Sequence, residues 1–392
     1  MTRIDDIDIK DKTVLIRVDY NVPIVNGIIK DTFRIDASFK TINYCLKNNC
    51  KVVLMSHLGR PKSTDLSLSL YPVFEYLNEI YSGKIFFAKD CISDEAIHSS
   101  SSLKNGQILL LENLRFYKGE LDCGYDFSSK LSMHGDIFIN DAFGTSHRAH
   151  ASNVGVCNFF KDKGYGFLIQ KEKKYLNDIL NSKDNRLTLI LGGAKISDKI
   201  KILNRFIGVA DNILIGGAMS NNFLKARGFN IGKSLYEHRY VDYAKEILDR
   251  KSHTAIILPI DYVCTKDLEK KGNVRNSKFS NIKDNEYLVD IGCETINLFN
   301  MIIKEKTDTI IWNGPMGIIE IDEFSNGTKE MINSIKFMNK KKIISIIGGG
   351  DTSSMINKDE YSMFTHISTG GGASLKLLSG EIMDSFEALK NE

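Results

Sequence analysis

The chain has 392 residues, which is too many for one ordinary hydrophobic core and enough for two domains. A hydrophobic content of 42% and a charged content of 26% are those of a soluble globular protein, and a formal net charge of +3 is too small to indicate nucleic acid or a membrane surface as a partner. The seven cysteines form no CxxC pair, so we expect reduced thiols in a cytoplasmic protein rather than a zinc site or a disulfide framework.

The chain begins with MTRIDDIDIKDK, which lacks the apolar core of a signal peptide, and no apolar run is long enough to span a bilayer. Five short apolar runs in the first half predict buried strands. They lie at 13–18 (TVLIRV), 51–56 (KVVLMS), 84–88 (KIFFA), 107–112 (QILLLE) and 136–140 (DIFIN). Apolar residues at helical spacing predict helices at 34–48 and 69–81, and a long helix at 164–182.

Six more apolar runs follow in the second half, at 187–193, 212–218, 254–260, 308–314, 342–350 and 363–372. Strands that alternate with helices are typical of parallel sheets covered on both faces. The sequence therefore predicts an α/β protein with two doubly wound, Rossmann-like parallel-sheet domains. We place the first domain at 1–164, a hinge helix at 165–182 and the second domain at 183–378.

The residues that follow the strands of the first half are mostly cationic. Ligands of open parallel sheets bind beyond the carboxyl ends of the strands. Only 12 of the 52 basic residues are arginines, yet several of the positions that follow these strands carry an arginine. The positions are Asp19, Asn21, His57, Arg60, Arg115, His147 and Arg148, with Arg34 in the loop before the first helix. This pattern predicts an anion pocket for a small acid that carries phosphate or carboxylate groups.

The strands of the second half end in glycines. Glycine lets backbone N–H groups approach a ligand, and the helix N-termini that follow favour anions, so four such sites at one edge predict a nucleotide phosphate site. The pairs and triplets are Gly192-Gly193, Gly216-Gly217, Gly348-Gly349-Gly350 and Gly370-Gly371-Gly372. Lys195 and Lys199, four residues apart at the predicted start of a helix, would share one face and supply the positive charge. Asp351 could bind magnesium, cap a helix with Thr352, or do both.

Two other phosphate motifs are incomplete. GFNIGKS (228–234) has Arg227 at the first glycine position of a P-loop, and GYGFLI (164–169) lacks the third glycine of a dinucleotide fingerprint. A nicotinamide dehydrogenase is therefore disfavoured. One domain for a small anion and one for a nucleotide suggest phosphoryl transfer, which needs positioning and charge neutralisation. A carboxylate acceptor is favoured weakly, because it is ionised at neutral pH and needs no general base.

Nine segments resemble the signature segments of the phosphoglycerate kinase family, in that family's order and over nearly the whole chain. They are RVDYNVP, SHLGRP, LLENLRF, NDAFGTSHRAHAS, LGGAKISDKI, IGGAMSNNFLKARG, WNGPMGIIE, GGGDTSS and STGGGASLKLLSG. The resemblance implies a hinge enzyme of glycolysis and gluconeogenesis, generally a monomer. Such an enzyme transfers a phosphoryl group reversibly between 1,3-bisphosphoglycerate and ADP, with Mg²⁺ bound alongside the nucleotide. The alternative is a nucleotide-binding regulatory protein with the kinase fold.

The resemblance also implies roles for individual residues. In the first domain it assigns the glycerate backbone to Asp19 and Asn21, the reacting carboxyl-phosphate to Arg34, and the distal phosphate to His57, Arg60, Arg115 and Arg148, with Leu58 and Gly59 also at the substrate. In the second it assigns the transferring phosphoryl group to Lys195, Lys199, Gly350 and Gly372. The nucleotide would be bound by Lys199, Gly217, Gly292, Asn313, Glu320, Gly349, Gly350, Asp351 and Thr352, with Asp351 as the metal ligand.

Three further expectations come from the same resemblance. The C-terminal tail, 379–392, would return to the first domain, and Glu172 would pair with His366 to set the hinge. Met316 stands where the family usually has valine, and Cys293-Glu294 stands where proline-lysine is common. Both departures lie near the nucleotide rather than near the transferring group, so their effect would be on nucleotide affinity.

Overall fold

A computed structural model describes residues 1–181, 185–269, 274–339 and 343–390. The chain divides into two compact units: Met1–Lys174 together with a C-terminal segment that starts at Glu381, and Tyr175–Gly380. A few positions with sequence predictions lie outside the described residues. They are 182, the last residue of the predicted hinge helix, 342, the first of a predicted strand, and 391–392, the end of the predicted tail.

The first unit is built on a seven-stranded sheet in which every neighbouring pair is parallel. The central strands are buried on both faces, as expected for strands that read as continuous apolar runs. In spatial order the strands are Thr2–Arg3, Lys163–Tyr165, Ile137–Asn140, Thr13–Arg17, Lys51–Met55, Ile108–Leu111 and Ile85–Ala88. A separate hairpin pairs Ile24–Val25 with Ile28–Ile29.

Helices cover this sheet, and those at Phe33–Asp36, Phe39–Lys47 and Tyr71–Ile80 share one hydrophobic core with the strands. The α-helices are Phe33–Asp36, Phe39–Lys47, Tyr71–Ile80, Asp94–Ser101, Lys118–Leu121, Tyr125–Ser132 and Asp384–Ala388, and the helix Phe167–Asn181 begins in this unit and ends in the second. Short 3₁₀ helices lie at Ile4–Asp6, Leu66–Leu68, Leu114–Phe116, Phe143–Thr145 and Gly155–Phe159. The C-terminal helix is held to the rest of its unit by Ser385, whose N–H and hydroxyl both donate to the carbonyl of Ser146.

The second unit contains a six-stranded parallel sheet and a smaller three-stranded antiparallel sheet. The parallel strands, in spatial order, are Ala255–Ile257, Asn212–Ile215, Leu187–Leu191, Thr309–Asn313, Ile344–Gly348 and His366–Ile367. The antiparallel strands are Val274–Lys278, Asp261–Thr265 and Tyr287–Ile291, with Asp261–Thr265 in the middle.

The α-helices of the second unit are Ile200–Phe206, Ser220–Ala226, Val241–Asp249, Cys293–Glu305, Asn326–Asn339, Gly350–Ser354 and Gly371–Leu378. Its 3₁₀ helices are Ser197–Lys199, His238–Tyr240, Phe279–Asn281, Asp322–Phe324 and Lys358–Met363. Within this unit the buried His366 stacks on Tyr175 with 4.8 Å between ring centres. Among the described helices, none has the length and apolar character needed to cross a membrane.

The predicted fold class, two doubly wound parallel-sheet domains, is confirmed. Each of the eleven predicted apolar runs contains a strand. The prediction of one helix at 34–48 is wrong, because the chain forms two helices, Phe33–Asp36 and Phe39–Lys47. Arg34 therefore lies in a short helix and not in a loop. The antiparallel sheet was not predicted, because its strands are only partly apolar.

Candidate functional sites in the two units

The first unit gathers five arginines and a histidine into what we call the basic cluster: Arg17, Arg34, His57, Arg60, Arg115 and Arg148. Most of these residues follow strand ends on one edge of the seven-stranded sheet. Arg60 is exposed, Arg34 and Arg148 are partly buried, and the other three are buried. The sequence prediction had named every member except Arg17.

His57 lies at the bottom of the basic cluster and is 2% exposed. Its Nδ1 is 3.1 Å from Nη2 of Arg17, and since a guanidinium can only donate, Nδ1 must accept. Burial, and then the nearby arginines, hold the pKa of His57 well below its usual value, so the ring is neutral with its proton on Nε2. No described residue accepts a hydrogen bond from Nε2. The ring therefore presents one unused donor.

Arg17 is fully buried behind His57 and is balanced by the equally buried Glu120. Arg17 Nη2 is 4.0 Å from Glu120 Oε1, and Ser152 links the two by accepting from Arg17 Nε at 2.8 Å and donating to Glu120 at 2.7 Å. Burial lowers the pKa of Arg17 and raises that of Glu120, while each charge opposes the shift in the other. Sequence reasoning missed this pair, although an arginine inside an apolar strand run was a visible signal.

Arg115 and Arg148 repel one another. Burial, and then Arg148 and Arg17, lower the pKa of Arg115 to about 10. Burial also lowers the pKa of Arg148, with further contributions from Arg60 and Arg34. No described residue accepts from the buried Nε of Arg115, whose Nη1 donates to the carbonyl of Gly59 at 2.5 Å. Crowded cations with unused donors are suited to an anionic ligand.

Asp19, Asn21, Leu58 and Gly59 lie around this cluster. Asp19 Oδ2 is 3.6 Å from Nη1 of Arg34, which also donates to the carbonyl of Asn21 at 2.8 Å. Asn21 Oδ1 accepts from the N–H of Gly59 at 2.8 Å. Asn113, which the sequence analysis did not single out, shapes the 58–59 turn, because its side chain bonds both the N–H and the carbonyl of Leu58.

The second unit contains a cleft of about 360 Å³, which we call the glycine cleft. It lies at the carboxyl ends of the strands Leu187–Leu191, Thr309–Asn313 and Ile344–Gly348. The predicted residues that line it are Lys195, Lys199, Asn313, Gly349, Gly350, Asp351, Thr352 and Gly372. Gly349 has φ of 105°, a conformation that requires glycine, and the helix Gly350–Ser354 begins directly after it. Thr352, in this helix, accepts a hydrogen bond from the N–H of Gly314 at 3.0 Å, which links the helix to the end of the strand Thr309–Asn313.

Lys199 is only 8% exposed, and its Nζ donates to the neutral amide oxygen of Asn313. Burial lowers the pKa of Lys199 to about 8, against smaller contributions from Asp198 and Asp351 that raise it. The ammonium is thus bonded to an amide rather than to a carboxylate, inside a cleft lined by glycine backbone. That arrangement leaves its charge available to a phosphate.

The explanation given for Lys195 and Lys199 is wrong, although both line the glycine cleft. Helical backbone begins at Ser197, so Lys195 lies in the preceding loop and does not share a helix face with Lys199. Lys195 is also exposed. Their shared position at the cleft is therefore not a result of helical spacing.

A larger cavity of about 480 Å³ adjoins the glycine cleft and shares Gly193, Ala194, Pro315 and Asp351 with it. Of the predicted nucleotide residues, it contains Gly217 and the exposed Glu320 in addition to Asp351. Gly292 is different. It is buried at the N-terminus of the helix Cys293–Glu305 under the Asp261 carboxylate, and it lines neither cavity.

The glycine cleft offers one carboxylate that could bind magnesium at its junction with the larger cavity, that of Asp351. Among the described residues, no group of three or more His, Cys, Asp or Glu side chains could hold a metal by itself. Asp351 is exposed, lines both cavities, and is a hard oxygen ligand. A single carboxylate suits a Mg²⁺ ion that keeps its waters and is bound mainly through substrate phosphates. The residues therefore fit a magnesium ion that arrives with a nucleotide.

Comparison with known proteins gives one consistent family. A family model described as phosphoglycerate kinase matches residues 4–381. The chain is 44% identical to a phosphoglycerate kinase of Finegoldia magna, over 98% of both chains. It is 42% identical to one of Elusimicrobium minutum, over 99% of this chain and 98% of that protein.

Solved structures agree. The phosphoglycerate kinase of Coxiella burnetii superposes with a TM-score of 0.85 at 32% identity, and that of Pyrococcus horikoshii with 0.86 at 32% identity. Each comparison covers 99% of this chain and 98% of the other.

Proposed function

This chain belongs to the phosphoglycerate kinase family, and from that premise we propose that its basic cluster binds 3-phosphoglycerate while its glycine cleft binds the phosphates of ADP or ATP. The enzyme is a phosphotransferase with a carboxyl group as acceptor. It transfers a phosphoryl group reversibly between 1,3-bisphosphoglycerate and ADP, giving 3-phosphoglycerate and ATP. The first unit is the phosphoglycerate-binding domain in this proposal, and the second is the nucleotide-binding domain.

In the basic cluster, the phosphate of 3-phosphoglycerate accepts from Nε2 of His57 and from the guanidinium groups of Arg60, Arg115 and Arg148. Two buried donors, on His57 and Arg115, have no acceptor among the described residues, and they support this assignment. A buried donor left unpaired costs about 1–3 kcal/mol, so an anion that pairs both is favoured. Asp19 and Asn21 would contact the glycerate hydroxyl, beside the 58–59 turn.

Arg34 is assigned to the reacting carboxyl group. It is partly exposed, and its contacts with Asp19 and with the carbonyl of Asn21 orient the guanidinium. A carboxylate is ionised at neutral pH, so the nucleophile needs no general base. Neutral His57 is therefore a ligand in this mechanism and not a proton acceptor.

In the glycine cleft, Lys199 and Lys195 neutralise the transferring phosphoryl group, and N–H groups of Gly350 and Gly372 donate to it. Asn313, Gly349 and Thr352 shape the cleft. Gly217 and Glu320 lie in the adjoining cavity, where Glu320 would accept from the ribose hydroxyls. Asp351 would hold the magnesium ion, which supplies charge neutralisation to the nucleotide phosphates.

Gly292 is assigned to the nucleotide by family resemblance alone. The seven free cysteines fit a reducing compartment, so we propose that the enzyme acts in the cytoplasm, as a monomer with small-molecule partners.

Buried Lys199 carries this proposal, because its ammonium lies in the glycine cleft on a neutral amide. The test is consumption of ATP on addition of 3-phosphoglycerate, coupled to a dehydrogenase that traps the acyl phosphate. Lys199→Ala should lower kcat by about 10²–10³-fold, the usual cost of removing one transition-state donor. Lys201→Ala, at an exposed lysine in the helix Ile200–Phe206 that follows Lys199, should stay near the parent value.

Equal losses in the two lysine variants would show that Lys199 has no special role. A folded parent chain that binds ATP without turning it over would contradict the kinase activity and favour a regulatory protein with the kinase fold.

A further inference from the structure

The larger cavity of the second unit has mostly apolar walls, formed in part by Leu235, Leu268, Met316 and Ile318. Leu235 and Leu268 are 58% and 38% exposed, respectively. Since the cavity continues into the glycine cleft, a ligand with phosphates in the cleft would place its other end here. A flat apolar group would cover these side chains.

One polar side chain in this cavity is incompletely bonded. Asn221 lies in the helix Ser220–Ala226, lines the cavity, and is only 1% exposed. Its Nδ2 donates to the carbonyl of Leu235 at 2.8 Å. A carbonyl can only accept, so this bond shows which end of the Asn221 amide is the nitrogen. The other polar atom of the side chain, Oδ1, can then only accept a hydrogen bond. No described residue donates to Oδ1.

The two neighbours of Asn221 are bonded more fully. Ser220 donates to the carbonyl of Gly217 at 2.7 Å and accepts from Tyr262 at 3.1 Å. Asn222 donates to the carbonyl of Glu237 at 2.7 Å and accepts from its N–H at 3.1 Å. A buried acceptor without a donor is costly, and such groups in native proteins are usually satisfied by a ligand or by water.

We propose that Oδ1 of Asn221 accepts a hydrogen bond from the 6-amino group of adenine, which makes Asn221 a specificity-determining residue for the nucleotide base. This assignment rests on the proposed function, because it requires the nucleotide phosphates in the glycine cleft. Glu320 and Asp351 are exposed whereas Asn221 is buried, so the phosphate and ribose end lies toward the mouth and the edge of the base lies inside.

The chemistry of the base then determines the preference. Oδ1 can only accept, so its partner must be a donor. Adenine offers an amino group at position 6, whereas hypoxanthine and guanine have a carbonyl oxygen there. In the same orientation those bases would place two acceptors against each other. A site built to bond an N–H group discriminates against a ligand that lacks it, because the buried protein group stays unpaired.

The test is a thermodynamic cycle on the full-length chain, with dissociation constants measured by titration calorimetry. The two ligands are Mg·ADP and the Mg complex of purine riboside 5′-diphosphate, which lacks only the 6-amino group. The parent should bind ADP about tenfold more tightly, the worth of one buried hydrogen bond. Asn221→Ala should bind the two ligands within about twofold of each other.

Asn204→Ala is the matched control. Asn204 is an exposed asparagine on a neighbouring helix of the same unit and lies outside the cavity, so this variant should keep the parent's preference. Urea unfolding followed by circular dichroism checks that each variant is folded, because 3-phosphoglycerate would report only on the first unit. Asn221→Ser provides a second substitution if the alanine variant folds poorly.

A parent that binds both ligands equally would overturn the assignment of Asn221, whatever its variants do. The same holds if Asn221→Ala keeps the tenfold preference, because the amino group would then be bonded elsewhere. A parent that binds neither ligand would be a different failure, since it would contradict nucleotide binding in the second unit and thus the proposed function itself.

Discussion

Charge burial at single residues explains how the basic cluster can exist. Arg17, which belongs to the basic cluster, and its partner Glu120 are both fully buried. Ser152 and the pair itself satisfy part of their hydrogen-bonding capacity, and Arg17 in turn fixes the tautomer of His57. A buried charge that loses its partner costs more than the pair contributed, because the remaining ion stays desolvated.

Glu120→Gln should therefore destabilise the first unit by about 3 kcal/mol, because the buried Arg17 would lose its counter-charge. Native-state hydrogen exchange of the strand Thr13–Arg17 measures this locally, and its amides should exchange about 100-fold faster. Glu75→Gln, an exposed carboxylate on the helix Tyr71–Ile80, should change stability by no more than about 0.5 kcal/mol. If the amides of the strand Thr13–Arg17 exchanged at equal rates in the two variants, the buried Arg17 would not need Glu120 as its counter-charge.

At the scale of elements, the long helix Phe167–Asn181 begins at a buried carboxylate from another part of the chain. Asp141 Oδ1 accepts from the N–H groups of Leu168 and Ile169 at 2.9 and 3.2 Å, and its Oδ2 accepts from Thr41. A side chain at Gly166 would come within 2.3 Å of this carboxyl group, which explains the glycine. Asp141 thus joins the end of the strand Ile137–Asn140 to two helices.

Burial raises the pKa of Asp141 to about 7 from an ordinary value of 3.8. The folded state therefore binds more protons than the unfolded state between these values. This stabilisation is complete below pH 3.8 and is lost as the pH rises through 7. Asp141→Asn cannot titrate, so the parent should lose at least about 1 kcal/mol of stability relative to this variant between pH 5 and pH 8.

Urea unfolding followed by circular dichroism at the two pH values measures this difference. Asp162→Asn, at an exposed position in the same unit, should show no such change relative to the parent. A constant difference between the parent and Asp141→Asn at both pH values would contradict the raised pKa.

For the whole molecule, the proposed function places one ligand in each of the two units. A ligand that binds only the folded state stabilises it by about 2.7 kcal/mol at 100 times its dissociation constant. That stabilisation should appear in the unit that holds the ligand.

We therefore expect saturating 3-phosphoglycerate to slow hydrogen exchange in the strands Thr13–Arg17 and Lys51–Met55. Mg·ADP should instead slow exchange in the strands Leu187–Leu191 and Thr309–Asn313. Each ligand alone serves as the control for the other. Protection of the second unit by 3-phosphoglycerate alone, with the first unit unchanged, would contradict the assignment of the two sites.

Much of the fold could be predicted from the sequence, because the strands of parallel sheets are short apolar runs. The missed elements lack that signal. Thr2–Arg3 and Lys163–Tyr165 are too short to show a pattern, and the antiparallel strand Val274–Lys278 is largely polar. The break between Phe33–Asp36 and Phe39–Lys47 was missed because the apolar spacing continues across it.

The sequence by itself determined the fold class and the motifs that identify the family, because apolar runs and strand-end motifs are local properties of the chain. Only the tertiary structure decided which groups are desolvated and which donors and acceptors are left unpaired. Arg17 pairs with Glu120, which lies about a hundred residues later in the chain, and Asp141 caps a helix that begins 26 residues later. Asn221 is buried, and its Oδ1 bonds to no described residue. Burial and hydrogen bonding depend on all the neighbours of a side chain, and those neighbours are brought together only when the sheets and helices pack.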